Sequence, residues 1–424
     1  MKKALSILLA MGMTVGMVAG CGDTADNSSA ADNSAAASTK AGTDGTQAAA
    51  SAADIKVGVI YIGDENEGYT AAHMAGIDEM AANLGLSDDQ IIEKTTIPED
   101  ESCYDAAVDL ADQGCNIIFA TSFGHETYIL QAAQEYPDIQ FCHATGYQAA
   151  SSGLSNMHNY FDAIYEARYV SGVVAGMKLN EMIENGDITA DQAKIGYVGA
   201  FPYAEVISGF TSFYLGAKSV CESVTMEVQY TNSWADMTAE GEVANQLIAD
   251  NCVLISQHAD TTGAPSACET AGVPNVSYNG STASACPNTF LVSSKINWEP
   301  YFEYAINCVA AGNAIDTDWA GSLDTGSVEL TELGSSVAAG TQEAIDAAKA
   351  DLIAGKVHVF DITTFTVEGA ELSSFEADVD TDPDYTPDHE VVLDGYFHES
   401  DIQFRSAPYF NVQIDGITLL DTAF

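Results

Sequence analysis

Aromatic side chains recur just past the ends of apolar runs in this chain: Tyr69, Phe123, Tyr147, Phe201, Tyr203, Trp234 and Trp298. Polar groups recur in the same stretches, namely Asp64 and Gly68 in the first, then His125, His258, Asp260 and Asn279. Rings in loops point to stacking. A flat neutral heterocycle held between two rings gains buried area and a favourable ring offset, about 0.5 to 1.5 kcal/mol per pair beyond the area itself. Asp and Asn beside such rings can hold hydroxyls or ring nitrogens and so fix a ligand's orientation. The chemistry suggested is recognition without turnover. No G-x-G-x-x-G follows the first apolar run, and there is no G-x-S-x-G elbow, P-loop or H-E-x-x-H. His258 and Asp260 are two metal-ligand types two positions apart, but no third stands at useful spacing, so neither a metal nor another cofactor is expected.

These residues need a scaffold that brings strand ends together. Lys56 to Ile62 is too continuously apolar for a strand with one wet face, and it reads as a central parallel strand covered by helices on both sides. Gly63 to Gly68 is turn-rich. Tyr69, Ala72, Gly76, Ile77, Met80 and Leu84 then form one apolar helix face. The alternation of strand and helix continues to Tyr160, and a helix over 161–184 with small residues from Ala167 to Gly176 would close a first lobe, 55–185. The pattern restarts at Lys194, and strands ending near Ala200, Thr231, His258, Tyr278 and Ile296 describe a second lobe, 186–298. The fold class is therefore α/β, with two Rossmann-like lobes facing each other across a cleft. From Trp298 a helix returns to the first lobe. The remainder of 299–424 completes both lobes and extends them, with strand candidates at Val357 to Val367, Val391 to Phe397 and Phe410 to Leu420.

The ends and composition narrow the setting. Residues 1–20 have Lys2 and Lys3 before an apolar stretch of roughly fifteen residues, short of the about 20 that a spanning helix needs. They read as an export signal. Val18-Ala19-Gly20-Cys21 is similar to the lipobox of bacterial lipoproteins, which implies lipidation of Cys21. Residues 22–54 are mostly Ala, Ser, Thr, Asp, Asn and Gly with no aromatic and no large aliphatic side chain, so 21–54 is expected to be a disordered tether with a reach of about 30 Å. The net charge of −49, from 62 acidic and 13 basic residues, excludes a basic surface for nucleic acid. Several of the other eight cysteines sit in apolar runs without a C-x-x-C pair, which favours free thiols.

The segments YIGDENEGYTAAHMAG, FATSFGHETYILQAAQEYPDIQFCHATGY, NYFDAIYEARYVSGVVAG, KIGYVGAFPYAEVISG, YTNSWAD and SQHADTTGAPSACETAGV occur in that order. Together they resemble the basic membrane protein family, lipid-anchored substrate-binding proteins of ABC importers with a type I periplasmic-binding-protein fold. The resemblance runs from about 56 to 312. It implies a purine nucleoside or purine base as ligand, an ABC permease as partner, and a place at the cell membrane facing outside the cytoplasm. A sugar or another small solute is the alternative cargo. By motif position Tyr69 looks like the aromatic of the first loop and Phe201 that of the second lobe, with Phe123, His258 and Asp260 in matching cleft loops. In VSYNGSTAS, Asn279, Gly280 and Ser281 stand where the family often has an aspartate pair.

Overall fold

The run Val57–Ile60 (β1) is buried along its whole length. In the computed structural model, which describes residues 52–379 and 386–420, β1 lies between two parallel neighbours, β2 (Ile91–Lys94) and β3 (Ile117–Ala120). Val57 stands opposite Ile91 on one side and Ile117 on the other. β4 (Gln140–Ala144) and β5 (Met157–Asp162) continue the sheet in the order β2-β1-β3-β4-β5, all parallel. The second lobe repeats the pattern. β6 (Lys194–Gly199), β7 (Thr225–Tyr230), β8 (Leu254–His258), β9 (Asn275–Tyr278) and β10 (Phe290–Ile296) lie in the order β7-β6-β8-β9-β10. In both sheets the order reverses at the first strand of the lobe, which opens a crevice at the carboxyl ends of the strands. This is the α/β fold with two Rossmann-like lobes of the type I periplasmic-binding-protein class.

The helices are placed by their caps and apolar faces. α1 (Gly68–Leu84) starts because the Glu67 carboxylate accepts from the amides of Tyr69 and Thr70, and it stops at Gly85, whose φ of 70° is cheap only for glycine. α2 (Glu101–Asp112), α3 (Glu126–Glu135) and the short α4 (Ala149–Ser152) follow. α5 (Ile164–Asn185) and α6 (Ala204–Val220) pack backbone to backbone, since a Cβ on Gly172 would meet the Phe213 carbonyl at 2.0 Å and one on Gly216 the Tyr169 carbonyl at 2.0 Å. The small residues predicted to allow close packing do so. They do not close the first lobe, however: Val170, Val174, Ala175 and Leu179 belong to the second lobe's core, so α5 starts beside the first sheet and runs into the second. α7 (Met237–Ala249) and α8 (Gly263–Ala271) cover the second sheet's other face, and α9 (Glu299–Ala311) returns to the first lobe, burying Tyr301, Phe302 and Ile306 there.

After α9 the chain gives one strand to each sheet. β11 (Asp318–Gly321) runs parallel to β5, and β12 (Val328–Leu330) runs antiparallel to β10. The three crossings between lobes lie side by side, joined by Ala163 N to Gly321 O and Asn297 N to Ser327 O, each 2.7 Å. A few such element ends can absorb the rotation of one lobe against the other. α10 (Thr341–Ile353) leads into the extension, with two small pairs, β13 (Glu376–Ala377) with β14 (His389–Glu390) and β15 (Val392–Leu393) with β16 (Tyr396–Phe397). β17 (Ile417–Leu419) adds itself in parallel to β7.

The tail strands expected from periodicity are mostly not ladders. Val359, Phe360 and Phe365 bury themselves in the second lobe's core from turns, so their apolar pattern is satisfied by packing without strand pairing. Val391 to Phe397 breaks at Asp394 and Gly395, both at positive φ, into a tight hairpin. Of 410–420 only Ile417–Leu419 pairs. All eight described cysteines are free thiols. The expected signal, Cys21 and nearly all of the tether lie outside the described residues.

Candidate ligand-binding cleft

Between the carboxyl ends of the two sheets a narrow inner chamber of about 30 Å³ is lined from both lobes. The first lobe supplies Ile62, Glu67 and Tyr69 after β1, Thr121, Ser122 and Phe123 after β3, and Thr145 after β4. The second supplies Glu205 after β6, Trp234 after β7, His258 and Asp260 after β8, and Tyr278 at the end of β9. Glu67, Tyr69 and Asp260 meet where the lobes touch: the Gly68 amide donates to the Asp260 carbonyl at 3.1 Å. A Cβ at Gly68 would stand 3.4 Å from that carbonyl oxygen and 3.5 Å from the Asn279 Cβ, ordinary contact distances, so the two loops touch closely without clashing.

Each lining group is held from behind. The Tyr69 hydroxyl donates to the Thr121 carbonyl at 2.7 Å, tying the first loop to the third strand. Glu99 accepts from the Ser122 hydroxyl and the Gly124 amide, which sets the Phe123 loop. Buried Glu126 accepts from the amides of Tyr147 and Gln148 at 2.7 and 2.8 Å. In the second lobe Glu240 accepts from the amide and hydroxyl of Thr261, the residue after Asp260. The Arg168 guanidinium lies 3.6 Å over the Tyr278 ring and donates to the Gln257 carbonyl at 2.7 Å, placing a buried cation behind the chamber wall. Its Nε and one Nη have no hydrogen-bond partner among the described residues, and its charge stands behind an otherwise acidic pocket.

Three carboxylates, Glu67, Glu205 and Asp260, share this small space. Burial, and then the negative Glu67 and Glu240 beside it, push the Asp260 carboxyl well above the usual carboxylate range. Burial also raises Glu67, against the hydrogen bonds from Thr70 and Tyr69 that lower it. Two facing carboxyls that both resist ionisation leave room for a ligand whose hydroxyls bring them hydrogen bonds. His258 is pulled down to about 4, first by burial and then by the Arg168 charge, so its imidazole is neutral near pH 7 while its Nε2 lies 3.3 Å from the Glu205 carboxylate. Among the described residues no cluster of His, Cys, Asp and Glu is arranged to hold a metal ion.

Beside the chamber, sharing Phe123, Thr145, Glu205 and Trp234 with it, lies an annex lined also by Tyr147 and Tyr203, with Asp378, Arg405, Ala407 and Pro408 from the extension. Here the rings converge across the lobes: Phe123 stacks on Tyr203 with centroids 5.8 Å apart, and Tyr147 lies 6.3 Å from Phe123.

The sequence-predicted residues divide accordingly. Tyr69, Phe123, Trp234, His258 and Asp260 line the chamber, and Tyr147 and Tyr203 line the annex. Gly68 and Asn279 support the site from its edge, Asn279 donating to Asp260 at 3.3 Å with its own φ at 60°. Four others differ. Phe201 lines neither space, because its ring packs on Trp234 and Tyr203, and Tyr203 takes the second-lobe aromatic position. Trp298 is fully buried in the first lobe, stacked on His73 at 4.0 Å and edge-on to Tyr69 at 5.8 Å. Asp64 spends its carboxylate on Asn66 within its own loop. His125 is sealed in the first lobe with Nε2 on the Ile97 carbonyl. Glu67, Glu205 and Tyr278 were missed. Glu67 carries a capping signal, an acid just before a helix that follows a strand, and Glu205 stands at the matching start of α6.

A family model described as ABC transporter substrate-binding protein PnrA-like matches residues 55–362. A protein of Haloferax volcanii named as an ABC transporter glucose-binding protein is 32% identical over 266 residues, 61% of this chain and 64% of that one. A purine-binding protein of Brucella abortus is 32% identical over 259 residues, 60% of this chain and 69% of its own. The chain therefore spans just under two thirds of the first relative's length. An ABC transporter system solute-binding protein from Conexibacter woesei has the same fold, with a TM-score of 0.58 at 20% identity, covering 72% of this chain and 98% of that one.

Proposed function

Because the chain belongs to the PnrA-like family of ABC transporter substrate-binding proteins, we propose that it closes its lobes on a purine nucleoside or purine base outside the cytoplasm and delivers it to an ABC permease. The observation that carries this reading is the adjacency of two unlike spaces, a chamber of carboxyl groups and an aromatic annex that share Phe123, Thr145, Glu205 and Trp234 as walls. Ribose hydroxyls would donate to Glu67, Glu205 and Asp260, and the base would lie among Phe123, Tyr203 and Trp234. A receptor needs only differential affinity for its closed form, so it calls for no catalytic constellation. The relative named as purine-binding supports this cargo. The lipobox-like Val18 to Cys21 supports a lipid anchor at Cys21. No helix among the described residues is long and apolar enough to cross a membrane.

The test is titration calorimetry with guanosine, inosine, adenosine, adenine, ribose and glucose. Purine nucleosides are expected to bind, and Asp260→Ala to weaken them by at least about tenfold, the scale of losing a buried hydrogen-bond partner. The carboxylate chamber suits sugar hydroxyls too, and one relative is named for glucose. Binding of glucose or ribose alone would replace the purine reading with a sugar receptor.

A further inference from the structure

Residues 363–379 and 386–420 lie beyond the family match, yet they build part of the cleft. The extension is fixed to the second lobe by β17, in register with Ile417 opposite Met226, and it reaches the first lobe where the Ser406 amide donates to Asp318 at 2.8 Å. Between these anchors it brings Arg405 to the annex wall. The chain has only two arginines among 62 acidic residues. Arg168 is sealed behind Tyr278, whereas Arg405 lines the open annex beside Asp378.

The Arg405 guanidinium is oriented before any ligand arrives. Its plane lies near two rings, 5.2 Å from Tyr147 and 5.6 Å from Tyr409. Its Nε donates to the Ala407 carbonyl at 3.3 Å and one Nη to the Pro408 carbonyl at 3.4 Å. Two of its five N–H groups are engaged by these carbonyls, and the charges of Glu399 and Asp378 lie beside the fork. The same annex carries the rings of Phe123, Tyr203 and Trp234, so a heterocycle stacked on them shares its space with a group that only donates. A 6-oxopurine has two adjacent acceptors, O6 and N7, that match a guanidinium fork. A 6-aminopurine turns an amino donor to the same place.

We propose that Arg405, delivered by the extension, is a specificity-determining residue that selects 6-oxopurine nucleosides over 6-aminopurine nucleosides by donating to the O6 and N7 edge of the base. This rests on the purine reading of the cleft. The experiment is calorimetric titration of the full chain with guanosine, inosine, 7-deazaguanosine and adenosine, repeated on Arg405→Gln and Arg405→Lys, with unliganded melting temperatures confirming that both variants fold. Guanosine and inosine are expected to bind the unaltered chain at least about tenfold tighter than adenosine, the scale of one bidentate pair. Both variants should bring that ratio below about threefold, because Lys keeps the charge and loses the fork. Removing N7 should weaken binding to the unaltered chain and change little in the variants, since the two deletions remove one interaction. Equal affinity for oxo- and aminopurines, or a preference that survives both substitutions, overturns the proposal and leaves the purine reading standing. If no purine nucleoside binds, the reading of the cleft fails and the proposal fails with it.

Discussion

The inner chamber and the annex share Phe123, Thr145, Glu205 and Trp234, but they are built from different materials. The chamber combines carboxylates with a neutral His258 and rests on fully buried supports, among them Trp298, His73 and Glu240. The annex is walled by rings that remain partly in water, with Phe123 and Tyr203 each 45% exposed, and roofed by an extension outside the family match. A buried polar space is costly to leave unsatisfied, and every residue behind it is committed to its geometry. A half-open aromatic space tolerates substitution and can change its cargo. The comparison teaches that depth and selectivity can be assigned to separate parts of one cleft.

That contrast has measurable consequences. The largest effect should come from the floor of the chamber: Trp298→Ala empties a fully buried site under Tyr69 and should cost about 3 to 5 kcal/mol in urea unfolding. A loss below about 1 kcal/mol would place Trp298 among the dispensable surface residues instead.

A smaller, pH-dependent effect belongs to Glu240, which burial pushes from 4.5 up to about 7. A carboxyl raised in the folded state contributes its full stability below the unfolded value, and that contribution is lost as pH rises through the folded value. The unaltered chain should therefore lose about 2 to 3 kcal/mol relative to Glu240→Gln between pH 5 and pH 8. Denaturant curves at both pH values that differ by the same amount would remove Glu240 as a buried support of the Asp260 loop.

At the annex the effect should be smallest. Tyr203→Ala removes one half-exposed stacking partner and should weaken nucleoside binding by about 1 kcal/mol while leaving the unfolding midpoint nearly unchanged. If Tyr203→Ala instead unfolds the protein as readily as Trp298→Ala, the division between a rigid chamber and an adaptable annex is wrong.

Much of the scaffold is legible in the chain because it depends on local pattern. The β1 run can only be a covered strand, the acid at 67 can only start a helix once Gly68 to Leu84 has its apolar face, and the same strand-to-helix alternation returns at Lys194. The loops that carry the site were legible for the same reason. Which residue of each loop faces the ligand was not. Phe201 and Tyr203 are two residues apart in one loop, and only the folded arrangement of rings shows that the first packs on Trp234 and Tyr203 while the second also faces Phe123. Trp298 looks like a cleft residue in the chain, because nothing local reveals that His73 is waiting to stack on it.

The sequence by itself determined two repeats of one α/β unit, the loops at their strand ends and the excess of negative charge, since periodicity, turn residues and composition act within a few residues of one another. The tertiary structure alone decided that Glu67, Glu205 and Asp260 meet in one chamber, that α5 packs into the second lobe, and that Arg405 reaches the annex after more than 250 residues of intervening chain have folded past Tyr147. The reason is range: a strand or a cap is settled by neighbours in the chain, whereas a binding site is settled by which distant strand ends the closing of two sheets brings face to face.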